Sequence, residues 1–210
     1  MYKVYIREPE EAATSLAVLL PGRGQPAVDL LARYDAAPLP RTYLIAAEPF
    51  EEWYPIPKGS DDQDAAVYGL RLSIQELDEF ISELQEEFGL ERSQIALVGF
   101  SAGGVMAIQT AAYSQEPFGA VVVHAGAILE PDELPPAKHN TPFLLIHSED
   151  DDCFFWEERY LPMKKALMDQ GYEIYTSEGP VGGHRIFSED ILEGAEFIRT
   201  HLEEPEQTAD

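Results

Sequence analysis

Basic residues are scarce in this sequence. Its 210 residues include 14 lysines and arginines against 39 aspartates and glutamates, which gives a formal net charge of −25. A field of this sign repels phosphate backbones and anionic membrane surfaces, so we expect no nucleic-acid partner. The same acidity favours solubility, and it is also compatible with salt tolerance.

Cysteine and long hydrophobic runs are nearly absent as well. Cys153 is the single cysteine, so no disulfide can form within the chain, and a reducing compartment, by default the cytoplasm, is expected. The N-terminus lacks the basic start of a signal peptide, and its apolar run covers only Leu16 to Leu20. No stretch approaches the length of a membrane span, so no stable membrane insertion is expected.

The length predicts a single domain over residues 1–202, followed by a flexible polar tail at 203–210. Strand and helix patterns alternate along this domain. The most regular is an amphipathic helix over 64–88, where apolar residues recur every three or four positions before Gly89. The predicted strands are 16–20, 42–47, 95–98, 119–123, 142–148 and 172–176, and the other predicted helices are 26–34, 102–113, 157–170 and 188–203.

This alternation predicts an α/β fold, in which a mostly parallel central sheet is covered by helices on both faces. Ligands of such sheets bind at the carboxyl ends of the strands. Two irregular stretches, 48–63 and 129–141, are expected to supply the walls of a pocket there.

A serine stands at one of these strand ends, inside the motif GFSAG at 99–103. In a nucleophile elbow the serine occupies a strained turn between strand and helix, and the residues two positions away are small because the two backbones pass close together. Gly99 and Gly103 meet that requirement. The motif therefore indicates Ser101 as a nucleophile, and the alternative is a Gly-Ser turn or a phosphate-binding loop.

The partners that such a serine needs follow in the order nucleophile, acid, histidine. The acidic run EDDD at 149–152 comes directly after the strand 142–148, and His184 lies in a glycine-rich loop before the last helix. His184 is the expected general base, and one carboxylate of the run would orient its ring. Spacing does not choose among the three aspartates. The other histidines, which have no catalytic setting, are His124, His139, His147 and His201.

The same acidic segment has two alternative interpretations, a metal site and a reactive thiol. The run 149–152 lacks the spaced oxygens and central glycine of a calcium loop, so no metal and no cofactor are expected. Cys153 is expected to be a partly buried, small apolar residue.

Acyl transfer also requires donors for the developing oxyanion. One is expected to be the backbone N–H of Ala102, and the other an amide in the loop after the first predicted strand. In that loop Gly22 and Gly24 let the backbone approach the serine and border the substrate, and the amide of Arg23 would point inward. The Arg23 side chain is either solvated or placed to attract a carboxylate or phosphate group of a substrate.

Together these segments resemble the phospholipase/carboxylesterase branch of the α/β-hydrolases, which includes bacterial carboxylesterases and acyl-protein thioesterases. The stretches that carry the resemblance are LLPGRGQP, AAEPFEEWY, GFSAGG, HSEDD and GGH, within residues 15–202. The resemblance implies a compact hydrolase without a cap domain, and it selects Asp151 as the acid. Asp150 and Asp152 are then expected to be solvated charges of small effect. The residues that it assigns are Ser101, Asp151 and His184 as the triad, Arg23 and Ala102 as amide donors, and Trp53 as an aromatic beside the pocket.

Three residues depart from the pattern of this branch. Pro21 stands in place of a histidine, Ser148 in place of a glycine, and Ala102 in place of the glutamine usual in thioesterases. An acyl-protein thioesterase or lysophospholipase is therefore the weaker alternative, and a carboxylesterase acting on short or medium acyl esters is expected. Its partner would be a small-molecule ester, and a homodimer is left open. A catalytically silent hydrolase scaffold used for binding is the alternative from another class.

Overall fold

The structure, a computed structural model, describes residues 2–55 and 63–203. Its strands are β1 (Tyr2–Arg7), β2 (Ser15–Leu20), β3 (Thr42–Pro49), β4 (Ile95–Phe100), β5 (Ala120–His124), β6 (Pro142–Ser148) and β7 (Glu173–Gly179). Its α-helices are α1 (Ala27–Asp35), α2 (Gln63–Phe88), α3 (Ala102–Tyr113), α4 (Leu161–Asp169) and α5 (Ser188–Ile198), and shorter helical segments lie at Arg92–Gln94, Pro131–Glu133, Trp156–Tyr160 and Arg199–Glu203. The predicted tail from residue 204 onward, and residues 56–62 of the predicted pocket wall, lie outside the described residues.

All seven strands form one sheet, in the order β1-β3-β2-β4-β5-β6-β7. Every neighbouring pair is parallel except β1 with β3, which is antiparallel. The mostly parallel sheet is thus confirmed, with β1 as an addition that the sequence pattern does not predict. β1 is an edge strand whose central residues are largely exposed, so it lacks the continuous apolar run by which the buried strands are recognised.

Two hydrophobic cores cover the two faces of the sheet, which explains why its central strands are apolar at every position. Along β2, where all six residues are buried, Leu16 and Val18 face the core that contains α2 and α3. Ala17 and Leu19 face the core that contains α1 and α5. Helix α2 confirms the predicted periodicity, and the buried positions among its described side chains are Ala66, Leu70, Ile74, Leu77, Ile81 and Leu84.

The parallel strands bring three chain segments to one edge of the sheet. Ser101 follows β4, Asp151 follows β6 by three residues, and His184 follows β7 by five. Because the carboxyl ends of parallel strands meet at the same edge, residues far apart in the sequence come together there. In the described part of the chain, no helix is both long and apolar enough to cross a membrane.

Candidate active site

Ser101 lies in a strained turn between β4 and α3. Its backbone has φ 54° and ψ −118°, a combination that residues with a side chain adopt at a cost of about 1–3 kcal/mol. The glycines on either side are required by close approach: a Cβ on Gly99 would overlap the Gly103 carbonyl, and a Cβ on Gly103 would overlap the carbonyl of Leu20. The turn thus has the geometry of a nucleophile elbow.

A continuous hydrogen-bonded chain runs from this serine to a buried carboxylate. Ser101 Oγ lies 2.8 Å from His184 Nε2, and His184 Nδ1 lies 2.8 Å from Asp151 Oδ2 and 3.1 Å from Asp151 Oδ1. The Asp151 side chain is 0% exposed and that of His184 is 14% exposed. The structure therefore brings together the three residues that the family resemblance assigns to a triad, with the serine at the accessible end.

Asp151 is held ionised by its neighbours. Its Oδ1 also accepts hydrogen bonds from the backbone amides of Cys153 and Phe154, each at 2.8 Å. Burial pushes the pKa of Asp151 upward, but the hydrogen bonds from His184 and from these two amides outweigh it and keep the pKa below its usual range. A carboxylate in this state can accept a hydrogen bond from the Nδ1–H of His184, an arrangement in which Nε2 carries no proton.

Two aromatic side chains fix the plane of the His184 ring. The Phe100 ring lies 5.1 Å from it at a tilt of 32°, and the Phe154 ring meets it edge-on at 5.7 Å. Sequence reasoning does not assign a role to either residue. Phe100 directly precedes Ser101, and Phe154 follows Asp151 by three residues. These positions could have indicated them, because chain neighbours of the predicted triad lie at the same edge of the sheet.

The loop after β2 lies directly over the serine. A Cβ on Gly22 would lie 2.9 Å from the Phe100 ring and 3.3 Å from Ser101 Cβ, so a side chain at this position would crowd both residues. The amide of Gly22 donates to Gln25 Oε1 and the amide of Gln25 donates to the Gly22 carbonyl, each at 3.1 Å. Gly24 adopts φ +65°, which favours glycine. These contacts hold the loop that carries Arg23 against the site.

Ala102 meets one requirement of an oxyanion donor by its place in the fold. It is the first residue of α3, and the first N–H groups of a helix have no partner in the helix's own hydrogen-bond ladder. Arg23 lies in the exposed turn opposite, and its side chain borders a cavity of about 200 Å³ together with Phe50, Glu51 and Glu52. The predicted donors thus lie on two segments that converge at Ser101.

Trp53 borders the same cavity but is only 3% exposed. Its indole N–H donates to the Pro21 carbonyl at 2.8 Å, and its ring packs 5.6 Å from the ring of Tyr2. Trp53, the aromatic that the resemblance places beside the pocket, therefore also has a structural role. It fastens the loop after β2 to the segment after β3.

Two of the remaining histidines, His124 and His147, are buried structural residues. Burial lowers the pKa of His124 to about 3, and its Nε2 lies 2.8 Å from the Tyr34 hydroxyl. His147 is buried against Tyr160, and its Nε2–H donates to the Phe154 carbonyl at 2.9 Å. Burial lowers the pKa of His147 too, so its ring is neutral. The neutral ring supports the turn that holds Asp151.

Two residues beside the acid differ from expectation. Cys153 is exposed, so the prediction of a partly buried residue is wrong; its backbone amide donates to Asp151 Oδ1. Asp150 is exposed but not merely solvated, because its Oδ1 accepts from the amides of Gly182 and Gly183, each at 2.7 Å. Asp151, Cys153 and His184 each bring one potential metal donor within 4.8 Å of the others, although two of them already bond to each other.

Comparisons with known proteins identify the family and the fold of this chain. A family model described as phospholipase/carboxylesterase matches residues 3–202. The solved structure of esterase PE8 is 29% identical, with a TM-score of 0.84 over 96% of this chain and 99% of that one. A Bacillus cereus carboxylesterase (15% identity, TM-score 0.79, 96% and 95% covered) and Zea mays acyl-protein thioesterase 2 (17%, 0.72, 95% and 99%) share the fold. These matches confirm the α/β-hydrolase fold predicted from the sequence.

Proposed function

Because the chain belongs to the phospholipase/carboxylesterase family of hydrolases, we propose that it is a serine carboxylesterase that hydrolyses short or medium acyl esters. The observation that carries this proposal is the unbroken chain of hydrogen bonds from Ser101 through His184 to Asp151. Its strained serine turn is the second support, since such turns expose a nucleophile at a strand end.

In the first half of the reaction, Ser101 Oγ attacks the ester carbonyl carbon while its proton passes to His184 Nε2. Asp151 stabilises the imidazolium that results. The amides of Ala102 and Arg23 donate to the oxyanion. The bond to the alcohol oxygen then breaks, the alcohol leaves with the proton of His184, and the acyl group remains as an ester on Ser101.

In the second half, water attacks the acyl-enzyme carbonyl and gives its proton to His184. The tetrahedral intermediate collapses, the acid leaves, and Ser101 Oγ recovers the proton from His184. The two halves use the same groups in the same places, so the proposal requires no metal and no cofactor.

A small cavity borders the loop after β2 and the end of β3, and neither Ser101 nor His184 lines it. Its volume of about 200 Å³ is below the roughly 300–1,000 Å³ of typical sites for drug-sized ligands. It is bounded by Gly22–Gly24 on one side and by Glu48–Trp53 on the other. Arg23, whose amide is a predicted oxyanion donor, is the residue that connects this cavity with the proposed site.

Hydrolysis of p-nitrophenyl acetate and butyrate tests the proposal. Wild type should turn over both, and Ser101→Ala should be inactive. Ser177→Ala, which removes a hydroxyl bonded to Glu193 at the surface, is the matched control and should keep full activity. An inactive wild type across an ester panel would favour the binding scaffold, and a strong preference for thioesters of the same acyl chain would favour the thioesterase.

A further inference from the structure

The loop that carries His184 is held at both of its ends, in different ways. It runs from the end of β7 at Gly179 to the start of α5 at Ser188. After His184 it is anchored by Ile186, whose side chain is in the core and whose carbonyl accepts from Arg33 Nη1 at 3.3 Å. Before His184 the chain is more open at Val181, which is 80% exposed, although the next residue, Gly182, is buried.

On this open side, one carboxylate fixes the backbone. Asp150 Oδ1 accepts from the amides of Gly182 and Gly183, each at 2.7 Å, immediately before the histidine. Hydrogen bonds from an N–H to an ionised carboxylate are among the stronger ones in proteins. The Gly183 amide is the main reason that the pKa of Asp150 lies below its usual range, so the carboxylate is ionised when it makes these contacts.

The two glycines make this anchoring geometrically possible. Gly183 has φ +64°, a conformation that favours glycine, so the chain turns directly after the two amides that Asp150 binds. A Cβ on Gly182 would overlap the hydroxyl of Ser148, so the loop lies tightly against the end of β6 at this point. The turn after β6 thus contacts the loop that carries His184 in two places: Asp150 binds the loop backbone, and Asp151 binds the His184 ring.

We propose that Asp150 is a positioning residue for the reaction: it fixes the backbone of the loop that carries the base, while its neighbour Asp151 fixes the ring. This inference rests on the proposed function, because it assigns Asp150 a part in delivering His184 to Ser101. Two consecutive carboxylates therefore divide the task of placing one histidine.

The expected consequence is a catalytic defect without a binding defect. The His184 Nε2 to Ser101 Oγ distance of 2.8 Å leaves little tolerance, and a misplacement of about 1 Å costs on the order of 10²-fold in rate. Without its anchor the loop samples such positions. Asp150→Ala should therefore lower kcat about 10- to 100-fold and leave KM within about twofold.

The experiment compares four proteins on p-nitrophenyl butyrate: wild type, Asp150→Ala, Asp150→Asn and Asp150→Glu. Active sites are counted by a fluorophosphonate titration, so that kcat is expressed per competent site and simple unfolding does not lower it. Asn keeps an acceptor oxygen in place and should retain activity within about fivefold of wild type. Glu keeps the charge but moves the acceptor by one methylene, and it should lose activity as Ala does. Asp152→Ala, which removes the neighbouring exposed charge, should behave as wild type.

Three results would overturn the inference while leaving the proposed function intact: an active wild type whose Asp150→Ala variant keeps its kcat per site, equal losses in the Ala and Asn variants, or an equal loss in Asp152→Ala. The latter two would show that the charge acts through its field. If Asp150→Ala does not fold, the comparison rests on Asp150→Asn and Asp150→Glu. A kcat per site in Asp150→Glu that equals or exceeds that of Asp150→Asn would then contradict the inference. Failure of the proposed function would look different, since the wild type would then be inactive.

Discussion

Asp151→Asn is the substitution that most sharply tests how the site controls its histidine. In the wild type, Asp151 Oδ1 accepts from the amides of Cys153 and Phe154, while Oδ2 accepts from His184 Nδ1. An asparagine must present its carbonyl oxygen to the two amides, because leaving those buried donors unpaired costs about 1–3 kcal/mol each. Its NH₂ group then faces His184 Nδ1.

This orientation reverses the tautomer of the base. Facing a donor, Nδ1 becomes the acceptor, and the single proton of the neutral ring moves to Nε2, which points at Ser101. The ring can then no longer accept the serine proton. The expected loss is about 10⁴-fold in kcat, which corresponds to about 5 kcal/mol of transition-state stabilisation.

The assay measures kcat per titrated site on p-nitrophenyl butyrate for Asp151→Asn and for Asp152→Asn, an exposed neighbour that serves as the matched control. The control should lose less than about tenfold. Because asparagine keeps both backbone hydrogen bonds, the melting temperature should change little. A variant with Asn at 151 that loses less than tenfold would refute the tautomer argument and the assignment of this carboxylate.

Three further outcomes are expected. Gly22→Ala should lower kcat about tenfold, because a Cβ there would lie 2.9 Å from the Phe100 ring and move the loop away from Ser101. The control Gly89→Ala, which is strained only by its φ of +65°, should lower stability and leave activity unchanged. The free energy of unfolding, measured with urea, should fall as the pH drops from about 6.5 towards 3, because His124 binds a proton in the unfolded chain but not when it is buried with a pKa of about 3. One such group contributes up to about 1.4 kcal/mol per pH unit. A His124→Gln variant whose stability depends on pH as steeply as that of the wild type would contradict this. Raising the salt concentration should increase kcat/KM for an anionic hemisuccinate ester and lower it for a choline ester, because a net charge of −25 repels the first and attracts the second. Faster turnover of the anionic ester at low salt, abolished by Arg23→Ala, would show instead that the charge of Arg23 dominates.

The central sheet and the placement of the serine are predictable from the sequence because their physical requirements leave marks in it. Buried parallel strands must be apolar throughout, and β2 is buried at all six positions. The close approach of β4, α3 and the end of β2 requires glycine at 99 and 103, where a side chain would overlap backbone carbonyls. Both marks are local, so a single sequence reveals them.

The turn after β6 is not predictable in the same way. Which side a residue faces in a turn depends on backbone angles that have no sequence period, so the sequence wrongly predicts Cys153 as partly buried and Asp150 as merely solvated. The edge strand β1 escapes prediction for another reason. Only one of its edges is paired and its central side chains are exposed, so it shows neither a continuous apolar run nor clean alternation.

Covalent labelling of the serine is the most direct test of the proposal that Ser101 is the nucleophile of an esterase. The protein is treated with a fluorophosphonate, digested, and mapped by mass spectrometry while esterase activity is followed. We expect one label per chain, on Ser101, with activity lost in proportion to labelling, and neither labelling nor activity in Ser101→Ala. Labelling at another residue, or a Ser101→Ala variant that keeps a tenth of the wild-type activity, would contradict the account.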